Sequence, residues 1–253
     1  MRFASLGSGS RGNGALIECG QTLLLLDCGF SATQAKKRLA RLEREAAHLA
    51  AIVVTHEHAD HIGGVAALSR GTGVPVYATP GTARHRSLNN LETLRLFHPH
   101  ESIAIGDLEV SPFPVPHDAG EPVQFVFGDG DRRFGVLTDV GSWTPHIIAQ
   151  LNGCDALMLE ANHDAGMLEN GRYPLSLKHR VGGRQGHLSN HQAAQLLSQL
   201  DGHRLQHVVA AHLSEENNTP ALAREALSGA LGCEAHWIGV ARQDSGLEWR
   251  EII

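Results

Sequence analysis

Residues 55–64, THEHADHIGG, place three histidines, one glutamate and one aspartate within six positions. Side chains of these types bind transition metals when they converge. The helical zinc motif HExxH is excluded, because position 60 is an aspartate where that motif needs its second histidine. The pattern is instead H-x-H-x-D-H, and this density of donors predicts a metal site on a loop. The candidate ligands in the loop are His56, His58, Asp60 and His61.

The order of these residues predicts two ions rather than one. His56 and His58 alternate as the chain leaves a strand, so both side chains can face one ion. Asp60 and His61 follow and can turn toward a second ion. Imidazole together with carboxylate favours zinc, manganese or iron over calcium or magnesium. We therefore expect two divalent ions, with zinc or manganese as first choice and iron as a further candidate.

Short apolar runs elsewhere in the chain also end on metal-binding types of residue. Strand ends gather at one rim of a sheet, where rigid backbone can bring side chains together in a cleft. The pattern therefore predicts one site assembled from distant segments. The runs LLLLD, AIVVTH, FPVPH, GVLTD and HVVAAH end at Asp27, His56, His117, Asp139 and His212.

Strand-like and helix-like segments alternate along residues 1–253 without a repeat, a low-complexity tract or a Pro/Ser-rich linker. We therefore expect a single domain over residues 1–253, with sheets covered by helices in a layered α/β architecture. Ser31 is a good N-cap for a helix over residues 32–46. Residues 103–115 and 123–141 read as hairpins, and residues 235–240 read as a strand.

The composition sets limits on the class of protein. A chain of 253 residues with 42% hydrophobic residues and 28 glycines is typical of a globular α/β protein. The opening segment has no apolar signal region, and no run approaches the roughly 20 apolar residues of a membrane span. Four scattered cysteines suggest no disulfide framework. We expect a soluble, cytoplasmic protein; its oligomeric state is left open.

The net charge is −6 with histidine neutral, which mildly disfavours a protein that binds nucleic acid without regard to sequence. Two divalent ions would add about +4 at the point where an anionic substrate binds. The formal charge therefore does not exclude a nucleic-acid substrate.

The metal motif, followed downstream by His117, Asp139 and His212, resembles the metallo-β-lactamase fold superfamily over the whole chain. Together with SLGSGSRGN, LEANHD, GHLSN and AAHLSEENNTP, it resembles the YycJ (WalJ) group of that superfamily. The resemblance implies a four-layer αββα sandwich, with two mixed sheets between helices, and phosphodiesterase or nuclease activity on DNA. The chain lacks room for the β-CASP insert of RNA-processing relatives.

The resemblance also implies a division of the ligands between the two ions. One ion would be held by His56, His58 and His117. The other would be held by Asp60, His61 and His212, with Asp139 bridging the pair.

A dinuclear site of this kind activates a bridging water and clamps the attacking and leaving oxygens of a phosphoryl group. Asp60 is a candidate catalytic residue, because it can orient that water or take its proton while it binds metal. Asp27 has two readings, as a carboxylate that orients a ligand or as a turn residue at a strand end.

His187 in GHLSN is the second candidate catalytic residue. It is either a phosphate contact or general acid for the leaving oxygen, or a loop histidine that precedes a helix capped by Ser189 or Asn190. Asn162 in LEANHD also follows an apolar run and is expected near the cleft. Ser189 and Asn162 are included among the predicted substrate contacts.

Residues 7–13, GSGSRGN, offer backbone N–H groups and hydroxyls that can bind a phosphate. They do not form a Walker A motif, and a simple hairpin turn is the competing interpretation. Ser8, Ser10 and Asn13 complete the predicted substrate contacts. The basic segment 178–184 is the predicted contact for the DNA backbone. Aromatic residues make up only 5% of the chain, so base stacking on a platform is not expected.

Three functions remain open from the sequence. The first is a dinuclear metal-dependent phosphodiesterase, a DNA exonuclease. The second is a small-molecule hydrolase that uses the same site on a thioester, a lactone or a cyclic phosphate. The third is a regulatory module that binds metal without catalysis, which the complete ligand set disfavours.

Overall fold

The computed structural model describes residues 1–253 and contains two seven-stranded sheets. The first sheet has the order β14-β1-β2-β3-β4-β5-β6. Its strands are β1 (Arg2–Gly7), β2 (Gly14–Cys19), β3 (Thr22–Leu26), β4 (Ala51–Val53), β5 (Val76–Ala78), β6 (Leu94–Leu96) and β14 (Leu247–Glu251). The second sheet has the order β13-β12-β11-β10-β9-β8-β7. Its strands are β7 (Ile103–Ile105), β8 (Leu108–Pro114), β9 (Val123–Gly128), β10 (Arg133–Leu137), β11 (Ala156–Glu160), β12 (His207–Ala211) and β13 (Gly239–Val240).

Nine α-helices accompany the sheets, and the longest has 12 residues. None has the length and hydropathy that a bilayer-crossing helix needs. The helices are α1 (Ala32–Arg41), α2 (Ala59–Ile62), α3 (Val65–Thr72), α4 (Pro80–Ala83), α5 (Pro145–Leu151), α6 (Ala165–Asn170), α7 (Leu175–Val181), α8 (Asn190–Leu197) and α9 (Pro220–Leu231).

Three buried apolar clusters correspond to the three interfaces of a four-layer sandwich. In β3, Leu24 and Leu26 enter the cluster between the sheets, whereas Leu23 and Leu25 enter the cluster under α1 and α3. This alternation follows from the period of two along a strand, so a run of four leucines is buried on both faces. A third cluster joins β11 and β12 to α5, α8 and α9. The predicted αββα sandwich with two mixed sheets is confirmed.

The direction of the strands brings many of their carboxyl ends to one edge of the sandwich. In the first sheet β3 and β4 are parallel, and β1 runs the same way because it is antiparallel to β2. In the second sheet β10, β11 and β12 are parallel, and β8 shares their direction through antiparallel β9. The loops that follow these seven strands therefore lie together at this edge of the sandwich.

Two predicted elements have different bounds in the structure. The helix that begins after Ser31 ends at Arg41 instead of residue 46, because Glu43 takes a left-handed backbone with φ of 56° and Leu42 turns into the core. The predicted strand over residues 235–240 is a single 3-10 turn followed by the two-residue β13. Both predicted hairpins are confirmed as β7–β8 and β9–β10.

Helices α5, α6 and α7 had no counterpart in the sequence prediction. Each is only six or seven residues long, which is too short for a helical period to stand out. Helix α7 buries none of its side chains, so the sequence has no apolar stripe there to reveal a helix.

Helix α8 begins with a capping box built on Ser189. The Ser189 hydroxyl accepts a hydrogen bond from the Gln192 N–H, and the Gln192 side chain accepts one from the Ser189 N–H. Both residues thereby satisfy N–H groups that a helix end leaves without partners.

We predict that Ser189→Ala lowers the free energy of unfolding by about 1 kcal/mol, because it removes one half of this capping box. Urea denaturation of the two proteins measures the difference. Ser189→Thr keeps the hydroxyl and serves as the matched control. Equal stability of the alanine variant and the parent protein would contradict the capping role.

Candidate metal centre

Two groups of ligand-type side chains meet at the common edge of the two sheets. The first triad consists of His56, His58 and His117. The second triad consists of Asp60, His61 and His212. Within each triad the donor atoms lie within 4.8 Å of one another, so each group can hold a metal ion.

Asp139 lies between the two triads. Its Oδ2 is 3.1 Å from Nε2 of His61, and its Oδ1 is 3.6 Å from Nε2 of His212. The same Oδ1 is 3.9 Å from Nε2 of His117 in the first triad. One carboxylate therefore reaches members of both triads. All seven residues predicted from the sequence as ligands are brought together at this edge.

Two buried atoms in the centre make no hydrogen bond: Nε2 of His56 and Oδ2 of Asp139, whose 3.1 Å approach to Nε2 of His61 does not have hydrogen-bond geometry. A buried polar atom without a partner costs about 1–3 kcal/mol. A metal ion supplies the missing interaction for both atoms, and nitrogen with carboxylate oxygen is a donor set that zinc and manganese accept. The residues present therefore fit a divalent metal ion.

Asp27 holds the ring of His61 on the side that faces away from Asp139. Its Oδ2 is 2.8 Å from Nδ1 of His61, and its carboxylate accepts hydrogen bonds of 2.8 Å from the N–H and the hydroxyl of Thr55. This contact leaves Nε2 of His61 directed at Asp139. Of the two readings of Asp27, the geometry favours the carboxylate that orients a ligand.

Glu160 ends β11 and is completely buried. Its carboxylate joins the second sheet to the loops of the centre and to two histidine rings. Its partners, at 2.9–3.1 Å, are the N–H groups of Asp139, Val140 and Leu188 and the Nδ1 atoms of His187 and His212.

Glu160 is not among the residues predicted from the sequence, although a signal for it is present. The run DALMLE ends on an acidic residue just as the runs before Asp139 and His212 end on metal-binding types. The same strand-end argument applied to this run would have placed Glu160 at the common edge.

Burial and neighbouring charges have opposite effects on the pKa values of residues in the centre. Burial alone would raise the pKa of Glu160, but His187 and His212 lower it to about 2. Burial alone would lower the pKa of His212, but the neighbouring carboxylates, Asp139 foremost, raise it to about 10. In the first triad burial prevails and holds the pKa of His56 well below its usual range. The carboxylates are thus ionised and His56 is neutral, which are the forms that bind metals, whereas His212 must release its proton when an ion binds.

Three residues of the centre have left-handed backbone, although none is a glycine. Their φ values are 57° for Asp27, 51° for Asp139 and 54° for His212. Such conformations cost about 1–3 kcal/mol each and occur at functional sites where the surroundings enforce them. Each of the three follows directly or closely on a strand of the shared edge, and the turn re-aims its side chain toward the cleft.

His187 lies in the wall of the cleft, a cavity of about 340 Å³. Its Nδ1 is 2.9 Å from Oε1 of Glu160, and its ring centroid is 5.1 Å from that of His212. The side chain keeps 21% of its surface exposed. The structure therefore places His187 in the cleft, with Nε2 as the ring nitrogen that Glu160 does not engage.

Ser8 and Asn13, two of the predicted substrate contacts, lie behind the second triad. The Ser8 hydroxyl accepts a 2.8 Å hydrogen bond from the N–H of His212 and donates to Asn13. The Asn13 amide is 3.1 Å from Nε2 of His61 and 3.3 Å from Oδ2 of Asp60. Ser8 is thus engaged in holding the His212 loop, whereas Asn13 touches the triad itself.

The other predicted substrate contacts divide between the cleft and its surroundings. Ser10 is exposed and lines the cleft. Asn162 also lines it and donates a 2.8 Å hydrogen bond to the carbonyl of His212. Ser189 is not brought into the cleft, because its hydroxyl belongs to the cap of α8.

The basic segment 178–184 begins within α7 and passes beside the cleft. Its Arg180 forms a 2.7 Å ion pair with Asp118, next to the first triad. The segment predicted to contact a DNA backbone therefore borders the metal centre.

Comparison with known proteins agrees with the fold and the centre. The chain matches the family model of the beta-lactamase superfamily domain over residues 22–212. It is 34% identical to Exodeoxyribonuclease YycJ of Bacillus anthracis, over 95% of this chain and 93% of that protein. It is 33% identical to Exodeoxyribonuclease WalJ of Streptococcus pneumoniae, over 94% and 91% of the two chains.

The structure also resembles a crystal structure, that of the metallo-beta-lactamase fold protein YhfI from Bacillus subtilis. The TM-score is 0.77 with 17% sequence identity, and 99% of each chain is covered. At this identity the likeness supports the fold. Given the matched family model and two relatives that align over nearly their full lengths, this chain belongs to the beta-lactamase superfamily and, within it, to the hydrolase group of YycJ and WalJ.

Proposed function

We propose that this protein is a dinuclear metal-dependent phosphodiesterase that degrades DNA as an exonuclease. The observation that carries the proposal is the pair of triads around Asp139 in an open cleft, with His187 beside them on the cleft wall. Two relatives that align over nearly the whole chain are named exodeoxyribonucleases, which supports the choice of substrate.

The two triads are the proposed sites of the two ions, zinc or manganese, with iron as a further candidate. Asp139 is the proposed ligand common to both, because its carboxylate lies within 3.1–3.9 Å of ring nitrogens of both triads. When bound, the ions lower the pKa of a water molecule and stabilise negative charge on a phosphate.

Asp60 is the proposed proton acceptor for the attacking water. Its Oδ2 is 3.4 Å from Nε2 of His212, and its side chain is 25% exposed toward the cleft. The more deeply buried Asp139 and Glu160 have less access to solvent and substrate. Asp60 can therefore orient the water and accept its proton without leaving the second triad.

His187 is the proposed general acid for the leaving oxygen. Glu160 holds Nδ1 of its ring and accepts a hydrogen bond there, which leaves Nε2 to donate a proton into the cleft. The ionised Glu160 also stabilises the protonated ring by its charge. Ser10, which lines the cleft, and Asn13, beside the second triad, are the proposed contacts for the phosphate oxygens.

A panel of substrates assayed together with metal content tests the proposal. The panel contains bis(p-nitrophenyl) phosphate, linear DNA with 5′-phosphate ends and a glutathione thioester. We expect two ions per chain and release of nucleotides from the DNA ends. Cleavage of the thioester alone would move the protein to the small-molecule hydrolases, and a protein with no ion and no cleavage would be a binding module.

We predict that Asp139→Ala loses at least one of the two proposed ions, because its carboxylate faces both triads. Elemental analysis of the purified variant measures the stoichiometry. Asp155→Ala is the matched control, since Asp155 is also a buried carboxylate but pairs with Arg204 away from the centre. An Asp139→Ala protein with two ions per chain and full activity would refute the bridging role.

We predict that His187→Ala lowers turnover on DNA roughly 100- to 10,000-fold while metal content stays intact. The loss should be smaller on bis(p-nitrophenyl) phosphate, because p-nitrophenolate departs without needing a proton. His163→Ala is the control, since His163 is buried in a neighbouring cavity. Equal losses on both substrates would argue against an acid role for His187.

We predict that chelation of the ions abolishes hydrolysis and also lowers the thermal midpoint of unfolding. The buried histidines and carboxylates lose the ligand that they share, and ions at about 100 times their Kd stabilise the fold by about 2.7 kcal/mol per site. Calorimetry of chelated and zinc- or manganese-restored protein measures the shift. An unchanged midpoint together with unchanged activity would remove the ions from the mechanism.

A further inference from the structure

A second cavity of about 630 Å³ lies beside the metal cleft, and we call it the outer cavity. Its size falls within the range of about 300–1,000 Å³ that is typical of pockets for small ligands. The outer cavity adjoins the cleft, because three residues line both spaces: Asp118, Arg180 and Gly186.

The walls of the outer cavity continue the loops that carry the metal centre. Pro116 directly precedes His117, and Gly186 directly precedes His187. Trp143 follows Asp139 in the loop after β10. A substrate whose phosphate lies in the cleft therefore has its neighbouring unit at the entrance to the outer cavity.

Hydrogen bonds and close backbone contacts fix these walls to one another. The N–H of Gly141 donates to the carbonyl of Pro116, and the Ser142 hydroxyl donates to the carbonyl of Arg184. A Cβ atom on Gly141 would lie 2.4 Å from backbone atoms of residues 184–186, so these loops touch without space for a side chain. The outer cavity is thus preformed.

The lining has the composition of a site for single-stranded nucleic acid. Trp143 is the one aromatic side chain in the wall; it is partly buried against the third apolar cluster, which holds the indole in place. Arg180 and Arg184 supply positive charge to the same lining. Asp118 engages Arg180, whereas no acidic side chain pairs with Arg184. An aromatic side chain beside an unpaired cation binds unpaired nucleotides through base stacking and phosphate contact.

We propose that the outer cavity holds the nucleotide next to the scissile phosphate, with its base stacked on Trp143 and its phosphate bound by Arg184. This inference rests on the proposed function and extends it. A base inside a duplex cannot reach the indole, so the enzyme acts on DNA ends whose terminal nucleotides are unpaired. The low aromatic content of the chain excludes a platform on which several bases stack, but Trp143 alone is enough for one base–aromatic stack.

The test compares holoenzyme variants on three substrates: a single-stranded oligonucleotide, a blunt duplex and bis(p-nitrophenyl) phosphate. The last substrate has no nucleobase and no second phosphate, so it lacks the groups that Trp143 and Arg184 bind in this proposal. The measured quantity is kcat/KM on the oligonucleotide divided by kcat/KM on bis(p-nitrophenyl) phosphate. We expect Trp143→Ala to lower this ratio roughly 5- to 150-fold, the range for one lost base–aromatic stack. Trp143→Phe should restore most of it.

Arg184→Ala should lower the same ratio and reduce the salt dependence. The slope of log(kcat/KM) against log salt on single-stranded DNA should fall by about 0.7, the contribution of one phosphate contact. Arg70→Ala and Trp237→Ala are matched controls, because both residues are exposed and lie outside the two cavities. Wild-type enzyme should also prefer the single strand to the blunt duplex, and Trp143→Ala should lose that preference.

The outcomes separate the inference from the function on which it rests. A wild-type enzyme that cleaves no DNA refutes the proposed function and the inference together. A wild-type enzyme that cleaves DNA, with ratios unchanged in Trp143→Ala and Arg184→Ala, refutes the inference alone. If Trp143→Ala fails to fold, Trp143→Leu, which keeps an apolar side chain but has no aromatic face, and Arg184→Ala decide the question with the same ratio.

Discussion

Three carboxylates buried at one edge of the sandwich are the constraint on which the centre depends. Asp27, Asp139 and Glu160 are each at least 97% buried, and an unpaired ion in such a position costs several kcal/mol. The protein offsets that cost with backbone N–H groups and histidine rings drawn from distant parts of the chain. The hydrogen bonds to these three carboxylates therefore fix the loops, and the fixed loops orient the histidine rings toward the cleft.

The two sheets make this arrangement possible because their strands converge in direction. Strands β3 and β4 in one sheet and β10, β11 and β12 in the other end at the same edge. Left-handed turns after several of these strands redirect the next side chain into the cleft. The same loops continue into the walls of the outer cavity. The fold, the candidate metal centre and the proposed nucleotide site therefore share the same loops.

Features that depend on local spacing were predictable from the sequence, whereas features that depend on long-range contacts were not. The H-x-H-x-D-H loop and the strand-end rule depend on neighbouring residues, so the candidate ligands were accessible from the sequence, whereas the four-layer sandwich was implied by the resemblance to the metallo-β-lactamase fold superfamily. The partner of Ser8 was not, because the N–H that it accepts belongs to His212, 204 positions away. Ser189 reads equally as a cap or a substrate contact until its distance from the cleft is known. The short helices carry too little periodicity to be predicted.

The closure of the first sheet has a consequence for the order of folding. Strand β1 pairs with β14, and the Gln243 side chain bonds to the loop of residues 11–12 across more than 230 positions of sequence. Contacts of such separation slow folding, because a long loop must close before they form. A ribosome-bound chain can build β2, β3 and β4 early, but the loop beside the second triad lacks its support until residue 243 has emerged. The candidate metal centre should therefore take its final form late in biogenesis.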